Sequence, residues 1–231
     1  MLRRMRRDRP HPEPHDNPAH TVSLDPEVEH AATGELERLV FLSDGVFAIA
    51  MTLLAVELAL PQVTGRPGDL GQRLLALGPK YFSYALSFVV IASYWRSHQR
   101  IFRDVIRIDG RFMWLNLLML LCIAFLPFPT SVLGTYSDEV AAVTLYAGTL
   151  AATGMVVLAM WLYASVGRRL IGNRLSSREI QQSTVRAMVP PTVFALSIGI
   201  AQFNTSAAMY AWLSIIVVMQ IASLVGRGAQ Q

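Results

Sequence analysis

The chain has 231 residues, of which 53% are hydrophobic and 16% charged, with a mean hydropathy of +0.39 and a formal net charge of +4. Soluble domains carry about a quarter charged residues, so this composition excludes an ordinary cytosolic globule. The single cysteine, Cys122, excludes a disulfide framework and a cysteine zinc site; the arginines sit in short stretches between apolar runs, as in membrane loops and not as in a nucleic-acid-binding surface.

The predicted elements follow in chain order. Residues 1–34 are rich in Arg, Pro, His and acid, with no apolar stretch, and read as a flexible cytoplasmic tail with no h-region of a secretory signal. Residues 35–226 then hold six hydrophobic spans. Span one runs from about Arg38 to Leu60 and is interrupted by Asp44 and Glu57. Span two covers about Leu75–Ser97, span three Phe112–Leu133 and span four Val140–Val166. The 40 residues from Ala187 to Gly226 contain no Asp, Glu, Lys or Arg. As one helix they would reach ~60 Å, twice the hydrocarbon thickness. They must fold back, and the polar cluster Phe203-Asn204-Thr205-Ser206 marks the turn, giving span five near Arg186–Gln202 and span six near Ala207–Val225. Residues 227–231 are a short cytoplasmic tail. The fold class is thus an all-α polytopic membrane protein with six transmembrane helices.

Orientation follows from the arginines. The loop after span two carries Arg96, Arg100, Arg103, Arg107 and Arg111, and the loop after span four carries Arg168, Arg169, Arg174, Arg178 and Arg186. The turns at Gly134–Glu139 and at Asn204 carry none. The positive-inside rule therefore places both arginine loops and both termini in the cytoplasm, although Pro61–Pro79, which should face outside, holds Arg66 and Arg73. Pro127 and Pro129 in span three, and Pro190 and Pro191 in span five, are expected to kink or end their helices.

Span one carries the chemistry. Ionisable groups inside a bilayer are expensive and face a bundle interior or a water-filled path, so Asp44 and Glu57 need partners or water. At 100° per residue, Ile49, Thr52, Leu53 and Val56 fall on one narrow stripe at i, i+3, i+4 and i+7. Asp44, Ala48, Met51 and Ala55 share another face suited to close helix packing.

The stretch Arg38-x-x-x-Leu-Ser-Asp-Gly-Val-Phe-Ala-Ile-Ala-x-Thr-Leu-Leu resembles the first-helix signature of the transmembrane protein 175 family of potassium channels, in its bacterial form. Trp95-Arg-Ser-His98, Asp109, Asn116 and Phe125-Leu-Pro-Phe-Pro-Thr130 resemble the same pattern, so the similarity covers roughly Arg38–Thr130. One position departs from it: the family usually has Phe before Ser-Asp, where this chain has Leu42. The resemblance implies a homotetramer in the cell membrane, with a K+ pore lined by the first helix and no Thr-Val-Gly-Tyr-Gly filter. It implies a hydrophobic constriction narrowest at Ile49, with Leu53 and Val56 forming rings further outward and Thr52 a ring of hydroxyls. It also implies a hydrogen-bonded cluster of Arg38, Ser43, Asp44, Trp95, His98, Asp109 and Asn116 that holds the pore helix in register.

Plainer readings stand beside these. The apolar stripe without its motif is ordinary helix packing, and Thr52 alone would bond the carbonyl four residues back. Asp44 reads as a structural acid paired with Arg38 or His98 before it reads as a proton carrier. His98 has no second ligand at metal spacing, so no metal and no cofactor is expected, and nothing resembles a catalytic motif. Glu57 reads as an interfacial acid or as one of a ring of acids at the pore mouth. The leading function is a channel passing K+ passively through a homotetramer in the bilayer, with no nucleic-acid partner. The alternative is a proton- or cation-coupled secondary transporter using Asp44 and His98, and a transport-free membrane scaffold comes third.

Overall fold

The structure is a computed structural model that describes residues 26–56, 58, 70–172 and 175–212. Every regular element among the described residues is helical: α1 (Pro26–Val56), α2 (Leu70–Ala76), α3 (Gly78–Asp104), α4 (Gly110–Phe125), α5 (Pro127–Thr135), α6 (Val140–Ser165) and α7 (Ser177–Ala201). Residues 205–212 are helical again. Four stretches are long and apolar enough to cross a membrane: Gly34–Val56, Gly110–Thr135, Val140–Arg168 and Ser177–Ala201. Joined across a 48° bend, α2 and α3 make a fifth. Of the expected sixth span, residues 207–212 lie in the helix at 205–212; its remainder, the C-terminal tail, Glu57, Arg174 and residues 1–25 lie outside the described residues.

Local sequence explains the helix ends. Pro79 occupies the first turn of α3, where a missing N–H leaves no bond unmade. Asp109 caps α4, its Oδ1 accepting the Phe112 N–H at 2.9 Å. Pro127 lacks the donor that would continue the ladder, so α4 stops at Phe125 and α5 restarts at Pro127, as expected for that proline pair. A capping box opens α7: Ser176 Oγ accepts the Glu179 N–H, and the Ser176 N–H donates to Glu179 Oε2 at 2.8 Å.

Three boundaries differ from the sequence reading. Helix α1 starts at Pro26, so residues 26–34 of the segment expected to be tail are helical. Helix α3 runs to Asp104, past the Ser97 end of span two, and carries Arg96, Arg100 and Arg103 on helix instead of loop. A helix continues into water while hydropathy falls, because hydropathy reports the hydrocarbon boundary and not the end of the hydrogen-bond ladder. Helix α7 begins at Ser177 and passes through Pro190 and Pro191 without ending. There Gly154 of α6 gives the prolines room: a Cβ on it would lie 2.9 Å from Pro191 Cδ.

In the bundle α6 packs against α3, α4, α5 and α7, whereas α1 packs against α3, α4 and α5. Helix α1 therefore flanks the α3–α4–α5 side and α7 the α6 side. The core between them is apolar and aromatic, with Phe47, Ile91, Phe112, Met119, Tyr146 and Met160 at zero exposure. Several of its hydroxyls are paired: Thr130 Oγ1 lies 2.8 Å from Ser87 Oγ, which lies 2.9 Å from Tyr146 Oη, and the Tyr94 hydroxyl donates to the Leu150 carbonyl at 2.7 Å. Buried hydroxyls without such partners would be costly. Trp212, in the returning helix, rests its ring 5.1 Å from that of Tyr146.

The two arginine-rich connections meet at one end of the bundle. The Ile106 N–H donates to the Leu170 carbonyl at 2.9 Å, and the Arg107 guanidinium donates to the Arg169 carbonyl at 2.9 and 3.1 Å.

Candidate functional site

The α1 helix has two faces of different fate. Leu39, Ser43, Phe47, Ala50 and Leu54 recur at helical spacing and are all buried against the bundle. The Ile49, Thr52, Leu53 and Val56 stripe points away from that face, and Ile49, Leu53 and Val56 are 60%, 44% and 70% exposed on the single chain. Four apolar or hydroxyl side chains are thus left uncovered in line by the protein's own packing. The Thr52 hydroxyl donates to the Ile49 carbonyl at 2.8 Å, three residues back. Its proton is committed to the backbone, so its oxygen lone pairs are what the stripe presents.

Behind α1, the Ser43, Asn116 and His98 side chains form one buried chain. Asn116 Oδ1 lies 3.0 Å from His98 Nε2, and Asn116 Nδ2 donates to Ser43 Oγ at 3.1 Å. Ser43 in turn donates to the Leu39 carbonyl at 2.7 Å. The direction of donation is fixed: a carbonyl oxygen only accepts, so Nε2 carries the His98 proton. All three residues are wholly buried, and the rings of Phe47 and Phe102 lie 5.7 and 4.2 Å from the imidazole. Among the described residues His98 Nδ1 has no hydrogen-bond partner. The chain ties α1 to α4 and α4 to α3 through groups that hydrocarbon would penalise if separated.

Asp44 sits one position further on and makes a second tie. Its Oδ1 accepts from Trp95 Nε1 at 2.8 Å and from Gln99 Nε2 at 2.7 Å. Asp44 therefore bonds neutral donors on α3, and not the Arg38 or His98 that its charge suggested. The missed residue is Gln99. Its signal was present, since it lies one helical turn after Trp95 and so shares that residue's face.

Two expected cluster members are elsewhere. Arg38 is exposed on α1, away from the Ser43 face. Asp109 lies in the connection before α4, where capping that helix and meeting α6 claims both its oxygens. Oδ2 accepts from the Tyr163 hydroxyl at 2.6 Å and lies 3.8 Å from Arg169 Nε. Partial burial pushes the Asp109 carboxyl up, but the Tyr163 and Phe112 hydrogen bonds and the Arg169 charge outweigh it and hold it below its ordinary value. Asp109 thus clamps the arginine-rich end of the bundle and does not brace α1. Among the described residues no three His, Cys, Asp or Glu side chains gather to hold a metal ion.

Comparison with known proteins gives a consistent set of likenesses. Residues 38–127 match the family described as the endosomal/lysosomal potassium channel TMEM175. A potassium channel of Chamaesiphon minutus is 32% identical over 200 residues, covering 84% of this chain and 95% of that protein. One of Streptomyces collinus is 33% identical over 171 residues, covering 72% and 82%. The crystal structure of a lysosomal potassium-selective channel TMEM175 homolog from Chamaesiphon minutus superposes with a TM-score of 0.74 at 29% identity, over 82% of this chain and 98% of that one. More distantly, the human endosomal/lysosomal proton channel TMEM175 is 27% identical over 154 residues, covering 66% of this chain and 29% of its own.

Proposed function

The chain belongs to the TMEM175 family, and from that premise we propose that it is a potassium channel of the cell membrane in which α1 of four identical chains lines one pore. The observation that carries this reading is the uncovered α1 stripe. Ile49, Thr52, Leu53 and Val56 stand outward on a helix whose opposite face is buried in its own bundle, which leaves this stripe free to meet copies of itself around an axis. In such an assembly Ile49 is the narrowest ring, with Leu53 and Val56 forming rings toward the outer mouth. Water leaves a constriction of this kind readily, which closes it to ions until it widens. The Thr52 oxygens, with their protons turned to the backbone, offer lone pairs to a dehydrating cation and discriminate among cations by that contact. The six-helix topology with both termini cytoplasmic belongs to the same proposal, as does the role of Ser43, Asp44, Trp95, Gln99, His98 and Asn116 in fixing the rotation of α1 about its axis.

The test is single-channel recording of the purified protein in planar bilayers, with K+ on one side and Na+ on the other. Discrete steps with a reversal potential displaced toward K+ are expected. The substitution Ile49→Asn should wet the constriction, raising unitary conductance and lowering discrimination. A variant that conducts like the parent removes Ile49 from the gate. The proton-channel name of the human relative motivates a second reading. Currents whose reversal follows the pH gradient would make H+ the permeant ion, and slow saturating flux without steps would favour a carrier using Asp44 and His98.

A further inference from the structure

Helices α3, α6 and α7 enclose an open-sided cavity of about 110 Å³ at the arginine-rich end, away from the α1 stripe. Each helix contributes one face: Ser183, Arg186, Ala187 and Pro190 recur at i, i+3, i+4 and i+7 along α7, and Gly154, Val157 and Trp161 at i, i+3 and i+7 along α6. The inner wall is apolar. Tyr94, Ile101, Val157 and Trp161 are buried there, and the polar ends of the two aromatic residues are already engaged. The Tyr94 hydroxyl donates to the Leu150 carbonyl, and Trp161 Nε1 donates to Thr184 Oγ1 at 2.9 Å. The rim is cationic. Arg100 and Arg186 line it from α3 and α7, both exposed, and Arg100 also feels the like charges of Arg96 and Arg103 on its own helix. Asp104 lines it as well and has an interaction partner within the protein.

An apolar recess with an excess of guanidinium at its mouth, toward the arginine-rich end of the bundle, suits an amphiphile with an anionic head. We propose that this cavity binds an anionic phospholipid, with the phosphate between Arg100 and Arg186 and the start of an acyl chain against Val157, Gly154 and Pro190. A guanidinium pair grips phosphate oxygens through directed hydrogen bonds as well as charge. A free phosphate would satisfy the arginines and leave the apolar wall uncovered; a zwitterionic lipid would cover the wall but bring its own cation to the rim. The bound lipid would bridge α3 and α7, stapling α7 to the bundle. This site stands independently of the pore reading.

The experiment is native mass spectrometry with thermal unfolding of the full chain in a neutral detergent, titrated with dioleoylphosphatidylglycerol, dioleoylphosphatidylcholine or inorganic phosphate. The parent should retain phosphatidylglycerol in preference to phosphatidylcholine and gain Tm from it, with no gain from phosphate. Each arginine removed should weaken retention about fivefold, so Arg100→Gln with Arg186→Gln should nearly abolish the preference. Arg178→Gln, a charge change off the cavity wall, should leave it intact. Ala187→Phe fills the recess while keeping both arginines and should also lose retention, which decides the matter if the double variant fails to fold. Equal retention of the two lipids by the parent would overturn the proposal. So would undiminished binding in Ala187→Phe, or an equal Tm gain from inorganic phosphate, which would make the site one for free anions.

Discussion

Asn116 is the pivot of the buried chain, with one amide group serving His98 and Ser43 at once. Replacing it by Leu leaves the His98 Nε2–H without its acceptor and removes the donor to Ser43, all at zero exposure. The expected cost is about 1–3 kcal/mol, read as a fall in Tm in detergent. Thr52→Val should behave oppositely, because the side chain is exposed and its bond is local. Its stability should stay within about 0.5 kcal/mol of the parent while K+ over Na+ discrimination changes in bilayer recordings. Asp109 gives a pH prediction. A carboxyl held below its ordinary value in the folded state contributes stability above its unfolded value of about 4 and loses it only as pH falls further, through the folded value. The Tm gap between the parent and Asp109→Asn should therefore be constant from pH 7 to pH 5 and close in more acid solution; a gap that shrinks already near pH 6 would contradict the clamp. At this scale the sequence was partly legible. Ser43, Asp44, Trp95, His98 and Asn116 were picked by their place in a motif, and they do meet across α1, α3 and α4. Motif membership could not say that Asp109 turns to Tyr163, because the partner lies more than fifty residues away on a helix with no pattern of its own.

Helices were more legible than their ends. Apolar run length placed the cores of α1, α3, α4 with α5, α6 and α7, since each must cover the same hydrocarbon. The break at Pro127 was also readable, because a missing N–H is a property of one residue. The continuity of α7 through Pro190 and Pro191 was not, because it depends on a glycine of another helix. That dependence is testable. At Gly154 a Cβ would come within 2.9 Å of Pro191 Cδ and 3.1 Å of its backbone nitrogen, where the ring cannot yield as a flexible side chain would. Gly154→Val should push α7 off α6 and cost about 1–3 kcal/mol by thermal unfolding, whereas Gly148→Ala on the same helix, with open space at its Cβ position, should be neutral or slightly stabilising. Equal effects at the two glycines would mean that α6 and α7 are not held at that point.

For the whole molecule, the arginine count foretold that two connections share a side of the membrane, and the structure brings them into contact through Arg107 and the Arg169 carbonyl. What hydropathy could not foretell is which face of which helix stays bare, because an apolar residue reads the same whether it meets lipid, its own bundle or another subunit. The bare face of α1 has a genetic consequence. A chain whose working surface is completed only by identical surfaces from its neighbours can be poisoned by a minority. In the proposed tetramer, an allele altered at Ile49 but sound in its buried face would still assemble, and it would enter most complexes when co-expressed with the parent. Such alleles should act dominantly on K+ flux in cells carrying both copies, while alleles that break Asn116 should be recessive, lost before assembly.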